Sequence, residues 1–315
     1  MAEATQEWVT QGEGGTRGAL RLMRWLGQNV PGPALDPLIW LISLFYTLRS
    51  GRAATRASRA YLRRVLGRDP SFAECHRHAR TFAHVLLDRV RLLSDGVEGF
   101  RIDPAGQKVI EDLHTEGRGA VLLSGHFGSF ESLRAFDRSL PGMRIRYLMY
   151  PENAQKSSAL LAELNSDVAA RVISLKSGPD AMLEVFEALD QGEFVGFLGD
   201  RLPSLESRSH LSVDFMDGTI RVPTSPYVAA LVARVPVILC FAPRLGRQHY
   251  APLFTVLHDG THVPRAERDA TCAAMAQTYA DTLEDLCRQH PYNWFNFFDI
   301  WAGGDDLHSP AAGKR

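Results

Sequence analysis

Cysteine is scarce in this chain: four in 315 residues, with no Cys-x-x-Cys pair. Cys75, Cys240, Cys272 and Cys287 stand far apart, which excludes the usual zinc-binding and dithiol motifs. Reduced thiols in a cytoplasmic setting are the simplest expectation. Also missing are His-Glu-x-x-His, the Gly-x-Gly-x-x-Gly fingerprint, the phosphate-binding P-loop and the Gly-x-Ser-x-Gly elbow. The sequence therefore calls for no metal and no redox cofactor. It also offers no protein nucleophile in a recognised setting. His76 and His78, two apart in a helical pattern, face different directions and make no metal pair.

Long apolar runs are absent too. Pro37 to Leu48 (PLIWLISLFYTL) is twelve residues without a charge, followed by Arg49 and Arg52. About 20 apolar residues are needed to span a bilayer, so this segment is too short to cross. Two readings stay open for it. It is either a core helix or an interfacial one, with Trp40 and Tyr46 at headgroup level and the arginines on phosphates. No secretory signal is read, since the first sixteen residues are polar and hold Glu3, Glu7 and Glu13.

Lysine is missing from Arg17 to Arg91, where arginine is abundant. That block has fourteen arginines and four acids, about +10, which leaves about −11 for the rest of a chain with net charge −1. Arg52, Arg56, Arg59 and Arg63 recur at helical spacing as a basic stripe. The stripe is either a solvated face or a surface for an acidic partner: an anionic membrane, an acidic carrier protein or a nucleic acid. The aromatic interleaving of single-strand binders is missing from the block, so no nucleic-acid partner is expected.

What is present is a composition of ordinary globular type, 45% hydrophobic and 23% charged. Residues 1–16 read as a disordered, Gly-containing N-terminus, 17–98 as a basic helical layer, 99–301 as an α/β core and 302–315 as a polar tail. The layer and core together form one domain, 17–301. Ser71 and Glu74 form a capping-box pattern ahead of a helix running to about Leu93. Strands are expected at Ala120–Ser124, Met143–Met149, Phe194–Leu198 and Val235–Ala242. A hairpin is expected around Asp217-Gly218, and long helices at 180–190 and 268–289. Alternating strands and helices predict an α/β fold with a mixed, largely parallel sheet covered by helices.

Two polar blocks follow expected strands. His126-Phe127-Gly128-Ser129-Phe130-Glu131 comes just after Ala120–Ser124. Ligands in open α/β sheets bind beyond the carboxyl ends of strands, where His126 falls. Gly125 and Gly128 would let backbone and substrate approach closely. Glu131, near a helix start, would fix the tautomer of His126 and leave its other nitrogen free as a base. The same spacing also fits a capped helix with a surface histidine. Gly199-Asp200-Arg201 follows Phe194–Leu198 and falls on the same edge. Arg201, oriented by Asp200, suits a substrate anion, although a surface ion pair is the commoner use of such neighbours. The aromatic run Trp294 to Trp301 reads as core.

Taken in order, these blocks carry a resemblance. His126 to Glu131 resembles the His-x4-Asp/Glu block of the bacterial lipid A biosynthesis acyltransferase family, in the lysophospholipid acyltransferase-like superfamily. Gly199-Asp200-Arg201 resembles that family's second polar block, and Phe215 to Pro226 (FMDGTIRVPTSP) the segment of its third. Tyr292-Asn293-Trp294-Phe295-Asn296-Phe297 is similar to its closing signature. The resemblance spans Gly18 to Trp301 and leans toward a less characterised branch, similar to proteins of glycolipid and aryl polyene clusters. One place departs: Met149-Tyr150-Pro151-Glu152-Asn153 lacks the arginine that usually stands beside that proline.

The resemblance implies an O-acyltransferase at the cytoplasmic face of a bacterial inner membrane, held peripherally. The donor would be an acyl carrier protein or coenzyme A thioester, and the acceptor a hydroxyl on a lipid or glycolipid. His126 and Glu131 would be catalytic; Gly128, Asp200 and Arg201 would bind substrate. The N-terminal layer would face an anionic membrane surface. A thioesterase or esterase using the same pair on water, and an idle lipid- or carrier-binding protein, are the alternatives.

Overall fold

A computed structural model describes residues 25–27, 29–49, 53–94, 97–134, 140–149, 169–174, 179–202 and 209–301. Expectations for residues 1–16, Arg52, Tyr150 to Asn153 and 302–315 lie outside the described residues. The first helices described along their whole length are α1 (Gly32–Arg49), α2 (Ala53–Leu66) and α3 (Phe72–Ser94). The capping box of α3 forms as expected: Ser71 N–H donates to Glu74 Oε2 at 2.8 Å, and Glu74 N–H to Ser71 Oγ at 3.3 Å.

The α/β part begins with β1 (Arg101–Ile102), α4 (Lys108–Thr115) and β2 (Ala120–Ser124), then a 3-10 turn over Phe130–Arg134. It continues with β3 (Ile145–Met149), β4 (Val172–Ser174), α5 (Pro179–Asp190), β5 (Phe194–Leu198), β6 (His210–Asp214) and β7 (Thr219–Pro223). The chain then forms α6 (Ser225–Ala233), β8 (Val237–Phe241), β9 (Arg244–Gly246), β10 (His249–Tyr250), β11 (Leu253–His258) and α7 (Arg268–Gln289).

Six strands make the main sheet in the order β11-β8-β2-β5-β3-β4. All neighbours are parallel except the β11–β8 pair at one edge. The sheet is therefore mixed and largely parallel, with helices flanking it. β2 is central, and all five of its residues are buried. A strand covered on both faces needs an unbroken apolar run, and Ala-Val-Leu-Leu-Ser supplies one. β6 and β7 form a separate two-stranded hairpin. Its turn is one residue earlier than the expected Asp217-Gly218: Met216 and Asp217 hold the positive φ values, 49° and 59°. Phe215 and Gly218 exchange both backbone hydrogen bonds around them, which is the two-residue hairpin closure.

The helical layer shares the core rather than standing apart. Tyr61, Leu62, Val65 and Cys75 lie in the same buried cluster as Val121, Phe197 and Trp294. α1 packs on α3 through a narrow stripe. Leu35, Ile39, Ser43 and Thr47, four apart, are buried. Leu38, Trp40, Leu41, Ile42, Phe45, Tyr46 and Leu48 are exposed. Among the described residues no helix is long and apolar enough to cross a membrane. On α2, Arg56, Arg59 and Arg63 are all exposed.

Candidate active site

Three parallel strands end side by side at one edge. Ser124 at the end of β2 is in register with Leu198 at the end of β5. His126 and Asp200 each lie two residues beyond, so the shared offset brings them together. His126 Nδ1 and Asp200 Oδ1 are 2.8 Å apart, and His126 N–H donates to Asp200 Oδ2 at 2.9 Å. Trp294 Nε1–H donates to the same Oδ2 at 2.9 Å.

Asp200 is fully buried. Burial alone would push its carboxyl up, but His126 and Arg201 outweigh it and hold the group well below the usual carboxylate range. The magnitudes agree with that outcome. Each hydrogen bond to a charged group contributes about 1.5–3 kcal/mol, so three of them offset a desolvation cost of several kcal/mol. An ionised carboxylate only accepts, so Nδ1 carries the proton and Nε2 presents its lone pair. Burial first, then the Arg201 charge, lowers the imidazole's pKa below its ordinary value. His126 is thus neutral near pH 7. With 30% of its side chain exposed, the free nitrogen is reachable. This arrangement can accept a proton from a bound hydroxyl.

Glu131 does not hold the imidazole, contrary to the sequence expectation. Its Oε1 lies 2.7 Å from Arg89 Nε on α3, and its Oε2 accepts from Ser129 Oγ at 3.1 Å. The cause is the turn at Gly128, where φ is +64° and N–H donates to Asn293 O at 2.8 Å. The chain swings outward there into the short Phe130–Arg134 turn and carries Glu131 toward α3. Gly128 itself also departs from expectation. A Cβ there would lie 1.7 Å from Ala242 O, so the room goes to the protein's own backbone beyond β8, not to a substrate. At Gly125 a Cβ would meet Tyr279 Oη at 2.9 Å and Asp200 Cγ at 3.2 Å. Both glycines let the pieces of the site close on one another.

Arg201 is beside the pair as expected. Its Nη2 donates to Phe295 O at 2.6 Å, and its Cζ lies 5.0 Å from the Phe298 ring centroid. The closing aromatic segment is core, and it also braces the site. Phe295 N–H donates to His126 O at 2.7 Å. Trp294 O accepts His78 Nε2–H at 2.8 Å, while Ser58 bonds the other ring nitrogen, also at 2.8 Å. Burial pushes His78 down to about 4, so it stays a neutral strut between the helical layer and Trp294. Trp294 was read in the sequence as core and not as a support of the site, and two further supports were not singled out: Tyr279, whose hydroxyl donates to Ser124 O at 3.0 Å, and Arg89. An equal two-residue offset after two strands was the signal for the His126–Asp200 pairing.

Burial pushes all four thiols up, so none is a ready nucleophile. Among the described residues no group of three or more His, Cys, Asp or Glu side chains is placed to hold a metal ion.

A mixed α/β fold with a tautomer-fixed imidazole at the carboxyl edge of its sheet is the frame of a base-dependent transferase or hydrolase. Residues 23–302 decide between them: they match the model of the bacterial lipid A biosynthesis acyltransferase family, and the chain belongs to that family. Membership implies an acyltransferase and suggests a lipid as its acceptor. No curated protein matches the chain.

Proposed function

We propose that the protein moves a fatty acyl chain from an acyl carrier protein or coenzyme A thioester to a hydroxyl of a lipid or glycolipid. The buried Asp200 carboxylate on His126 Nδ1 is the observation that carries the reading. Nε2 takes the acceptor's hydroxyl proton as that oxygen attacks the thioester carbonyl. The carbonyl pair moves onto oxygen, the tetrahedral centre collapses, and the carbon–sulfur bond breaks. The leaving thiolate takes the proton back from the imidazolium. Asp200 steadies the imidazolium, and Arg201 holds an anionic group of either substrate. In this reading Asp200 has the role that the sequence suggested for Glu131.

In this reading the reaction runs at the cytoplasmic face of a bacterial inner membrane. Seven large apolar side chains exposed on α1 form the kind of patch that seeks a partner. Each contributes about 1.5–3 kcal/mol when fully buried. Arg56, Arg59 and Arg63 on α2 suit anionic headgroups. The helix lies in the interface rather than across it.

The test uses the purified chain with dodecanoyl-acyl carrier protein or dodecanoyl-coenzyme A and a bacterial lipid extract, with products read by mass spectrometry. A new acylated lipid that disappears with His126→Ala supports the reading. Free fatty acid without acylated lipid indicates hydrolysis and overturns it. Lipid binding without turnover indicates an idle member of the family.

A further inference from the structure

Among the described histidines only His78 is fully buried. Both its ring nitrogens are engaged: Nε2–H donates to Trp294 O, and Nδ1 accepts from the Ser58 hydroxyl, each at 2.8 Å. Aromatic rings fix its plane, with Phe297 and Phe295 stacked at centroid distances of 5.0 and 6.1 Å. His76, two residues earlier on α3, faces α1 instead, where it meets Ser43 Oγ and Trp40 O. The buried ring stays neutral, so its use is as a donor and acceptor of fixed direction.

What it holds is the backbone of Trp294. The closing segment runs antiparallel to the loop that carries the base, with Trp294 opposite Phe127. Gly128 N–H donates to Asn293 O, and Phe295 N–H to His126 O. These bonds flank Trp294 and leave its own carbonyl turned away from the loop, where His78 takes it. A buried carbonyl left without a partner is costly, so the chain at Trp294 would turn to find one. The indole is carried on that backbone, and its Nε1–H is a donor to Asp200 Oδ2. Contacts of 2.8–2.9 Å thus lead from Ser58 through His78, Trp294 and Asp200 to His126 Nδ1. Ser58, His78, Trp294 and Asp200 are all buried, so water cannot replace a partner that is lost.

We propose that His78 is a positioning residue of the acyl-transfer site, acting on His126 through Trp294 and Asp200. This rests on the acyl-transfer reading with His126 as base. It makes α2 and α3, through Ser58 and His78, part of the apparatus that sets the base, whereas the sequence assigned their layer to membrane contact.

The test measures kcat and KM for thiol release from dodecanoyl-coenzyme A, with the lipid extract as acceptor. Deuterium exchange of the Trp294 indole N–H is followed by NMR; Trp294→Phe assigns that signal among the five tryptophans by deleting it. The variants are His78→Asn, His78→Gln, Trp294→Phe and the double variant His78→Asn with Trp294→Phe, each checked by thermal melt. Asn keeps an amide near Ser58 and is too short to reach Trp294 O, whereas Gln reaches it. His78→Asn is expected to speed indole exchange and to lower kcat about 5- to 10-fold, the scale of one hydrogen bond to a charged group, with KM within about twofold. His78→Gln keeps kcat within about threefold. The double variant stays within about twofold of Trp294→Phe alone, because His78 acts through the indole.

The acid limb of kcat/KM adds a readout that packing alone would not move. Asp200 freed of the indole N–H pulls harder on the imidazolium, so the limb moves to higher pH in both His78→Asn and Trp294→Phe. The charged groups acting on His126, namely Asp200 and Arg201 beyond β5 and Arg89 on α3, are unchanged in these variants.

Losses that multiply in the double variant overturn the inference, as does parent-like indole exchange in His78→Asn. So does a rise in KM with kcat retained, or a higher kcat in His78→Asn than in His78→Gln. If His78→Asn fails the melt, Ser58→Ala takes its place, and parent values of both kcat and indole exchange there overturn the inference. Parent turnover abolished by His126→Ala but indifferent to His78 sinks the inference alone. No thiol release by the parent removes the reading and the inference together.

Discussion

Asp200 and Glu131 are both carboxylates of the site, and the molecule handles them in opposite ways. Asp200 is fully buried, takes three N–H donors and touches the imidazole. Glu131 keeps 20% of its side chain exposed and faces an arginine on another layer. Proximity in sequence selected the wrong one. Glu131 is five residues from His126 and Asp200 seventy-four, yet parallel register between β2 and β5 outweighs a five-residue spacing interrupted by a turn. The difference shows that an imidazole's partner is chosen by the strand next door as readily as by its own loop.

The sharpest test of that contrast is Asp200→Asn. It removes the acceptor charge under Nδ1, and kcat should fall about 100- to 1,000-fold, in the range for loss of effective base catalysis. Asp200's charge raises the imidazole's pKa, so the acid limb of the residual activity should move to lower pH. A kcat within about fivefold of the parent would return the partner role to Glu131.

Gly128→Ala probes why Glu131 is turned away. A methyl placed 1.7 Å from Ala242 O, at φ +64°, forces the backbone apart. Chemical denaturation should show a loss of roughly 3 kcal/mol or more. An unchanged midpoint would mean that the turn relaxes freely and does not dictate where Glu131 points. Trp294→Phe keeps the ring and removes the indole N–H from Asp200, with an expected loss of about 1.5–3 kcal/mol in stability and about 10-fold in kcat. Parent-like values in both would leave Asp200 adequately held by His126 alone. The smallest effect belongs to Glu131→Gln, at most about fivefold in kcat. A larger loss there than in Asp200→Asn inverts the comparison.

Much of the fold was legible because local signals were strong. β2 and β5 match their sequence expectations residue for residue, as does α7, since continuous apolar runs and a long amphipathic repeat leave little choice. The capping box of α3 was equally plain. The hairpin was legible, its exact centre less so, because Met216 carries no turn signature and is held at positive φ by the exchange between Phe215 and Gly218. The short strands β1, β9 and β10 have no periodicity of their own and exist through their pairing. In the site, His126, Asp200 and Arg201 were located from their place after strands. Their pairing depended on strand order, which no local pattern encodes. Arg89 was hidden among thirteen other arginines of its block.

The support of Asp200 by Trp294 carries a consequence for the order of events in the cell. The base is residue 126, its carboxylate 200 and the indole that steadies the carboxylate 294. These positions span most of the polypeptide. A ribosome that has released the first 200 residues has delivered the reactive pair without its brace. The pair becomes fully organised only once Trp294 has left the exit tunnel and docked. A nascent chain that has not yet reached Trp294 therefore holds a less steadied base.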